Sequence, residues 1–547
     1  MSKIKIFSLG GLNDIGKNMY VVDVDNEIFI FDAGLKYADD RLLGVDYIIP
    51  DYTYIKNNID KVKGIFITHG HDQQMGALSD IVNDIKDITI YATEFASEII
   101  KEEFKNEGLS TKNLKVIKPH KKINFKNVSI FPISLTHSVP DNVGYVINTK
   151  DGAIVYTGNF VFDPSMLGAY QTDIGKLAYI GKQGVLCLMS ESLYAENVGF
   201  TSPKHRTTKV IKEALRRNDG RVIFNIYGTQ FYRLQEIFNE IMKVGRNIVI
   251  LGKDLENTIN SAIDKNYLKF DKERIFNLKH IDDGNIVVIV SDNREKPFSN
   301  IKRVIKGFDK FLKITENDTV VFANPVYDGM EKTATDVFDE VAKLGANLII
   351  ISKSYLSLHA SREDLMLMLN LMQPKYYFPV IGEYRHQVLN ADIATTIGIP
   401  KENVLLKLNG DVVTFVDGKL VETGEKVPTD EILIDGKTVG DIGEVVLKDR
   451  ESLSQSGIVL VTFTIDKVTK KVLAGPEILT RGFVYVKDNI DLIKEIENIS
   501  SNIIESNSKE HYIDFNQIRT EIRDRVGKYL YQETECKPMI LSVIQEV

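Results

Sequence analysis

The chain is 547 residues long, which predicts about three domains, each large enough to bury its own core. With 43% hydrophobic and 26% charged residues, it has the composition of an ordinary globular protein. The net charge of −8 excludes a protein that is basic overall, so any nucleic-acid binding must come from a local basic groove. Cys187 and Cys536 are far apart, which excludes a disulfide scaffold and is typical of a reducing cytoplasm. No apolar run approaches the roughly 20 residues of a membrane span, so we expect a cytoplasmic protein without a membrane partner.

The first 200 or so residues have the pattern of short apolar strands that end in polar residues. The segments 28–34, 153–159 and 185–191 each show an apolar run followed by polar side chains or glycine. Open sheets bind ligands beyond the carboxyl ends of their strands. We therefore expect functional side chains at these strand ends.

From about residue 204 to 354, strands alternate with longer amphipathic stretches. The helical pattern at 209–215, for example, precedes the apolar strand at 221–226. This βαβ spacing predicts a separate α/β unit with a parallel sheet. Residues 355–447 combine a predicted helix at 362–371 with short strands and turns.

A third unit begins at about residue 448. It opens with an alternating strand at 457–466, continues through two helical stretches and ends in the apolar strand 539–544. No internal repeats or low-complexity tracts are visible.

The segment around His69 and His71 is the strongest chemical signal in the chain. The H-x-H motif follows the apolar run 64–67, so both histidines sit at a strand end, where they could bind zinc. On the motif alone, surface or core histidines are an equally good interpretation. His137 favours the metal, because it also lies directly after a predicted strand, at 128–133.

A second metal would need an Asp and a His immediately after the H-x-H motif. The chain has Gln73 and Gln74 there instead. The central question is therefore whether this protein is an enzyme or is derived from one.

Several motifs in a fixed order resemble those of bacterial ribonuclease J. This family combines a metallo-β-lactamase nuclease domain with an inserted β-CASP domain. The similar segments run nearly end to end, at residues 8–19, 32–34, 43–51, 481–486 and 537–540.

The resemblance implies an α/β protein: a metallo-β-lactamase αββα sandwich, an inserted β-CASP α/β domain and a small C-terminal α+β domain. The implied boundaries are 1–203 and 355–447 for the two parts of the metallo-β-lactamase domain and 204–354 for the β-CASP domain. Residues 448–547 would form a linker and an oligomerisation domain.

The resemblance also implies a metal site that is half lost. The family's first-metal histidines fall on His69, His71 and His137, whereas its other ligands fall on Gln73, Gln74, Asn159 and Ile381. Amides are poor zinc donors and isoleucine cannot ligate. We therefore expect at most one zinc ion per chain, or none. Asp72 precedes the lost aspartate by one position, so we expect it to point elsewhere.

Further family positions imply catalytic and RNA contacts. Glu191 occupies the place of a family aspartate. His359 matches a family histidine that acts as a proton donor or contacts the phosphate. Ser357 and Ser361 would donate hydrogen bonds to phosphate oxygens. The family commonly has histidine at Tyr355 and glycine at Leu358, and this bulkier leucine would crowd a phosphate-binding loop. By position alone, a capping or core role is the better interpretation of His359, and only the family match favours the functional one.

A local cluster of cations is compatible with phosphate contact, although such clusters are more often solvated faces. Its members are Lys204, Arg206, Lys209, Arg216, Arg217 and Arg221.

Two hypotheses follow. The first is a catalytically impaired ribonuclease J paralogue that binds single-stranded, 5′-monophosphorylated RNA. It would act as a subunit of an RNA processing and decay complex, with an active paralogue or further copies of itself. The alternative is an active 5′–3′ exoribonuclease or endoribonuclease that works with one zinc or an altered site, because three neutral histidines can still activate zinc-bound water.

Overall fold

A computed structural model describes residues 2–38, 42–216, 220–228, 230–291, 298–326, 330–356, 358–436, 438–439, 443–469, 471–483, 489–507 and 514–547. Ser357, Arg217 and residues 484–486 of a family motif lie outside these ranges. The chain forms two units, Met1–Tyr37 with Asp46–Ile432, and Ala38–Val45 with Leu433–Val547.

The first unit begins with two sets of strands and the helices between them. Its strands are β1 (Lys3–Gly10), β2 (Met19–Val24), β3 (Glu27–Phe31), β4 (Lys36–Tyr37), β5 (Tyr47–Pro50), β6 (Val62–Phe66), β7 (Ile90–Thr93), β8 (Leu114–Ile117), β9 (Ile123–Asn124), β10 (Ser129–Ser134), β11 (Val143–Thr149), β12 (Gly152–Tyr156) and β13 (Val185–Glu191). Its helices are α1 (Thr53–Asn57), α2 (Asp72–Met75), α3 (Leu78–Asp84), α4 (Glu94–Asn106) and α5 (Ile174–Gln183).

An inserted segment follows, and the chain then returns to the first sheets. The inserted strands are β14 (Val222–Asn225), β15 (Asn247–Leu251), β16 (Ile275–Phe276), β17 (Ile286–Val290), β18 (Thr319–Phe322) and β19 (Asn347–Ile350). The accompanying helices are α6 (Thr208–Arg216), α7 (Phe231–Val244), α8 (Lys253–Asp264), α9 (Ser299–Ile305), α10 (Glu331–Lys343) and α11 (Lys353–Leu356). The returning elements are α12 (Arg362–Met372), β20 (Tyr376–Val380), α13 (Tyr384–Thr396), β21 (Val413–Val416) and β22 (Lys419–Val421).

Two sheets face each other across an aromatic core in the first unit. Their strand orders are β22-β21-β1-β2-β3-β6-β7-β8 and β20-β13-β12-β11-β10-β9. Phe31 and Phe66 from one sheet pack in the same core as Tyr145 and Tyr156 from the other. Alternate residues of each strand point inward, which explains the apolar patterning.

Helices cover the outer faces of these sheets. Leu177 of α5, Leu365 of α12 and Ile393 of α13 pack against the outer face of the second sheet, and α4 contacts β7 and β8 of the first. The layers are therefore helix, sheet, sheet and helix, as the resemblance implies.

The inserted segment is a doubly wound α/β domain. Its sheet has the order β16-β15-β17-β14-β18-β19, and every described pairing in it is parallel. Side chains of α6, α7 and α8 cover one face, and those of α9 and α10 cover the other. The predicted parallel sheet is confirmed.

The second unit contains β23 (Glu431–Asp435), β24 (Thr438–Val439), α14 (Glu444–Ser456), β25 (Ile458–Ile465), β26 (Val472–Arg481), α15 (Ile490–Asn507), α16 (Phe515–Thr534) and β27 (Met539–Glu546). β25 pairs antiparallel with β26 and parallel with β27. Ile496 and Ile522, on the two long helices, pack with Val461 of the sheet. This is an α+β unit, although the residue boundary predicted at 448 stays a prediction.

Among the helices that the structure describes, none is both long and apolar enough to cross a lipid bilayer.

Candidate metal and RNA site

The predicted site residues lie at the carboxyl ends of strands. β12, β13 and β20 are parallel, so residues that end or follow them meet at one edge of the sheet. At this edge lie Asn159 after β12, Glu191 at the end of β13 and Ile381 after β20, with His137 after β10 of the same sheet. His69 and His71 follow β6 of the facing sheet.

Three histidines form the centre of the site. The ligand atoms of His69, His71 and His137 all lie within 4.8 Å of one another, and His69 Nε2 is 3.0 Å from His71 Nδ1. His69 and His137 are buried, whereas His71 is half-buried. Three nitrogens at this separation can converge on a single metal ion.

Hydrogen bonds from outside the triad determine which ring nitrogen faces its centre. His69 Nδ1 lies 3.0 Å from Thr68 Oγ1, and that hydroxyl donates to the Asp32 carboxylate at 3.0 Å. His137 Nδ1 donates to the Leu358 carbonyl oxygen at 2.8 Å. His69 and His137 therefore present Nε2 to the centre, because the other nitrogen of each ring already has its partner.

Asp32 holds this arrangement from inside the core. Its buried carboxylate accepts hydrogen bonds from the Thr68 backbone N–H at 2.8 Å and from the Tyr156 hydroxyl at 2.7 Å. Burial raises the pKa of Asp32 to about 7, although these donors act to lower it. The carboxylate keeps the Thr68 hydroxyl oriented toward itself, so that the hydroxyl oxygen accepts from His69.

The triad fits one zinc ion. Three neutral imidazoles with a fourth open position are typical of catalytic zinc, and a hydrogen bond to the second nitrogen of each ring is typical of ligating histidines. His69 Nε2, His71 Nδ1 and His137 Nε2 are the atoms that would hold the ion.

Amides occupy three of the four remaining family ligand positions, and two of them, Gln74 and Asn159, are fully buried. Gln74 is completely buried, and neither its amide oxygen nor its nitrogen has a hydrogen-bond partner among the described residues. Asn159 is 1% exposed, and its Oδ1 is likewise without a donor in the described part of the chain. Both side chains are thus neutral polar groups whose amide oxygens are buried without a hydrogen bond from the described residues to offset the loss of water.

Gln73 is held through its backbone. Its carbonyl oxygen accepts hydrogen bonds from the backbone N–H of Asn18 at 3.2 Å and from Asn18 Nδ2 at 3.0 Å. A Cβ atom at Gly34 would lie 1.7 Å from the same carbonyl, so this close approach requires glycine.

Ile381 keeps an unusual backbone conformation at the fourth position. Its φ of 55° lies in the left-handed region, which is a genuine outlier for a β-branched residue. Hydrogen bonds to the Tyr20 hydroxyl at 3.1 Å and from the Ser192 N–H at 3.0 Å hold this backbone. The side chain belongs to the buried apolar core.

Asp72 does not join the histidines. It begins α2, and its Oδ2 accepts a hydrogen bond from the Tyr37 hydroxyl at 2.8 Å. The carboxylate therefore lies away from the triad, as expected from its position in the motif.

The buried Glu191 and the half-buried His359 form a pair beside the triad. His359 Nδ1 is 2.8 Å from Glu191 Oε2, while Glu191 Oε1 accepts from the backbone N–H groups of Phe160 and Ala360 at 2.7 and 3.1 Å. The His359 ring centroid lies 5.6 Å from that of His137. The structure therefore brings both predicted catalytic residues to the site, and Glu191 orients His359.

Ser361 has a structural partner. It is the N-cap of α12 in a capping box with Asp364, and its hydroxyl is 2.7 Å from Thr201 Oγ1. Leu358 is buried and supplies the carbonyl that His137 binds. Phosphate binding by Ser361 and Ser357 stays a prediction.

The predicted cationic cluster divides in the structure. Arg221 is buried and its Nε donates to Asp318 at 2.8 Å, so it is a structural ion pair rather than part of an RNA track. Arg206 is partly exposed and pairs with Asp163 at 3.0 Å.

Two contacts of the site have no signal in the sequence. The Leu358 carbonyl is a backbone group 221 residues from His137, and the link from Asp32 to His69 depends on the pairing of β3 with β6. Asp32 belongs to a recognisable family motif, but its role toward His69 is visible only in the fold.

Four family models match successive parts of the chain. They are the beta-lactamase superfamily domain over residues 29–174, the ribonuclease J beta-CASP domain over 219–341, the Zn-dependent metallo-hydrolase RNA specificity domain over 347–401 and the ribonuclease J C-terminal domain over 445–547. The predicted fold class, a metallo-β-lactamase domain with an inserted β-CASP domain and a C-terminal domain, is confirmed.

Curated relatives match the whole chain. A protein named ribonuclease J 2 from Staphylococcus aureus is 36% identical over 549 residues, covering 100% of this chain and 98% of its own length. Its namesake from Staphylococcus epidermidis shows the same identity and the same coverage. A crystal structure of a protein of unknown function from Enterococcus faecalis V583 aligns with a TM-score of 0.53 at 15% identity, covering 76% of this chain and 100% of that one, and shows similarity of fold alone.

Proposed function

This chain belongs to the ribonuclease J family, and we propose that it binds single-stranded RNA in the cytoplasm as a subunit of an RNA processing and decay complex, with little nuclease activity of its own. Its partner would be an active paralogue or another copy of itself. Within the family's chemistry, the RNA would be 5′-monophosphorylated.

One observation supports weak catalysis above all others. The triad of His69, His71 and His137 is assembled for one metal, while the ligand positions for a second hold neutral or apolar side chains; these are Gln73, Gln74, Asn159 and Ile381. A two-metal nuclease stabilises both the attacking and the leaving oxygen. With one ion, that paired stabilisation is lost.

The charge balance agrees with this interpretation. In the family pattern, two carboxylates accompany the second divalent ion, and here amides replace both of them. These two positions therefore contribute no negative charge that would attract a second cation, and the Glu191 carboxylate that remains nearby is bonded to His359 and to backbone N–H groups.

The remaining residues can still hold RNA and position a proton. A zinc ion at the triad would supply Lewis acidity and lower the pKa of a coordinated water. Thr68 and Leu358 fix the rings of His69 and His137. Glu191 accepts from His359 Nδ1, so His359 Nε2, when protonated, can donate to a phosphate oxygen.

A second candidate function rests on the intact triad. Because His69 and His137 keep their orienting hydrogen bonds, the site has the arrangement that a one-zinc hydrolase needs. The alternative is therefore a slow 5′–3′ exoribonuclease or endoribonuclease.

Measurements on one preparation separate the two functions. RNA binding, hydrolysis of 5′-monophosphorylated RNA and bound zinc are measured on the purified chain, with His69→Ala as the matched variant. The loss of several kcal/mol of metal-ion stabilisation predicts hydrolysis at least about 10³-fold slower than by an active two-metal relative. We expect RNA binding and no more than one zinc. Slow hydrolysis that His69→Ala abolishes would favour the alternative, and two bound ions with full activity would contradict the proposal.

A further inference from the structure

The inserted β-CASP domain carries an exposed loop of aromatic and basic side chains. This loop, residues 306–313, follows α9 and is called here the Phe308 loop. Phe308 is 78% exposed and Phe311 is 45% exposed. Lys306, Lys310 and Lys313 are also exposed. Such protruding rings are unfavourable in water unless a partner covers them.

Buried hydrogen bonds hold the loop in place. Asp309 Oδ1 accepts from the backbone N–H groups of Phe311 and Leu312 at 2.8 and 2.9 Å, and its Oδ2 accepts from Arg303 at 2.8 Å. Leu312 is completely buried in the apolar core of the domain. The phenylalanines are thus presented by a fixed backbone, which lowers the entropy that binding would lose.

The Phe308 loop lies at the opposite end of the inserted sheet from the histidine triad. Arg221, just before β14, donates to the Lys313 carbonyl at 2.7 Å, which places the loop at the amino ends of the parallel strands. Leu358, whose carbonyl binds His137, follows the carboxyl end of β19 in the chain. The histidine triad is therefore at the carboxyl ends of the inserted strands. Strands of four or five residues separate the two ends by roughly 13–17 Å.

The charge around the loop is opposite to that of the whole protein. The chain carries −8 overall, but residues 302–313 contain five cations and one carboxylate, and that carboxylate is the buried Asp309. Polyanions are attracted to such a patch, and single-stranded nucleic acids combine phosphate contacts with base stacking on exposed aromatic rings.

We propose that the Phe308 loop is a second contact surface for single-stranded RNA, remote from the histidine site. Bases stack on Phe308 and on one face of Phe311, because Lys310 Nζ covers the other face at 5.6 Å from the ring centroid. Lys306 and Lys313 contact the phosphates. The inference rests on the proposed RNA-binding function. It predicts that RNAs long enough to reach both the histidine site and the Phe308 loop bind more tightly than short RNAs that reach only the histidine site.

Direct stacking can be observed because the chain contains no tryptophan. Phe308→Trp places the only tryptophan of the chain on the loop, where it can be excited selectively over the tyrosines. The matched control is Tyr179→Trp, which replaces a ring that is 63% exposed on α5. Titration with a long oligoadenylate is expected to quench the Phe308→Trp emission saturably and to leave the control unchanged.

Affinity measurements test the energetic contribution. Removing a stacking ring is expected to weaken binding of the long RNA about tenfold, so Phe308→Ala with Phe311→Ala is compared with the wild type on the long RNA and on a short one. Lys306→Glu, Lys310→Glu and Lys313→Glu together should reduce the slope of log affinity against log salt by about 2. The charge control is the triple change of the exposed lysines Lys121, Lys122 and Lys126 to Glu.

The outcomes distinguish this inference from the proposed function. If the wild type binds no RNA, the proposed function fails and the inference with it. If the wild type binds long RNA while Phe308→Trp is not quenched and the double alanine variant keeps full affinity, only the inference is overturned. Quenching by polyglutamate but not by RNA would instead assign the loop to an acidic protein partner and would also overturn it.

Discussion

Restoring one carboxylate tests the account of the metal site most directly. Asn159→Asp is nearly isosteric and returns the bridging ligand without enlarging the side chain. The position is next to the triad: a Cβ at Gly158 would lie 2.9 Å from Thr68 Cγ2, and the Phe160 N–H binds Glu191. We expect this variant to respond to zinc more strongly than the wild type and to be less stable without it.

The magnitude follows from the environment of Asn159. The side chain is 1% exposed, and its Oδ1 receives no hydrogen bond from any described residue. A buried acceptor without a donor costs about 1–3 kcal/mol, and more when charged, which corresponds to a decrease in Tm of about 5 °C at roughly 2–4 °C per kcal/mol. If the added carboxylate tightens zinc binding about tenfold, saturating zinc raises the free energy of unfolding of the variant by about 1.4 kcal/mol more than that of the wild type.

Thermal unfolding with chelator and with excess zinc measures both effects. The difference in Tm between the two conditions should be larger for Asn159→Asp than for the wild type by about 3–5 °C, which is the 1.4 kcal/mol expressed as temperature. Asn225→Asp is the matched control, because it places a carboxylate at a buried asparagine in the inserted domain. Equal zinc responses in Asn159→Asp and the wild type would refute the placement of this side chain beside the ion.

Three further predictions follow from the structure. Thr68→Val should weaken zinc binding about 10–100-fold, because it removes the oxygen that orients His69; Tyr156→Phe, which removes a different donor to Asp32, should lower stability but not zinc affinity in the same competition titration. Burial raises the pKa of Glu103 to about 7, so the folded state takes up a proton and stability decreases as pH rises from about 4.5 to 7. The Glu103→Gln variant should therefore become more stable relative to the wild type as pH rises from about 5 to 8. A fully buried carboxyl group would give a difference of about 3 kcal/mol in the free energy of unfolding, and this half-buried group should give about 1–2 kcal/mol. Urea unfolding at several pH values measures the difference. A fourfold variant restores all the family ligands; its changes are Gln73→Asp, Gln74→His, Asn159→Asp and Ile381→His. It should bind two metal ions and hydrolyse RNA fast. Unchanged metal content would show that these positions can no longer form a second metal site.

The histidine triad could be predicted because its signal is local. Each histidine directly follows an apolar strand, where functional side chains are expected. The parallel sheet of the inserted segment also followed from patterning, since βαβ spacing there differs from the strand runs around it. The αββα sandwich and the order of the domains were instead implied by the resemblance to ribonuclease J, and that two facing sheets bring the histidines together is seen only in the fold.

What the sequence could not predict depends on distant backbone or on packing. The partner of His137 is a carbonyl of Leu358, and a carbonyl looks the same for every residue type. The burial of Arg221 against Asp318 depends on the neighbouring position of β14 and β18. Ser361 is different: the S-x-x-D spacing of Ser361 and Asp364 before an apolar helix is a capping signature that was visible in the sequence.

The backbone conformation of Ile381 is imposed by its surroundings. An isoleucine with a φ of 55° is strained by about 1–2 kcal/mol. A residue adopts such a conformation only when the surrounding structure imposes it. Here the Tyr20 hydroxyl and the Ser192 N–H hold both backbone groups of Ile381. The Ile381 side chain packs in the apolar core, and among the described residues the buried amides of Gln74 and Asn159 include oxygens without a hydrogen-bond donor. These neutral and apolar side chains at family ligand positions are the observations on which the proposed binding subunit rests, and the fourfold restoration of ligands tests that proposal.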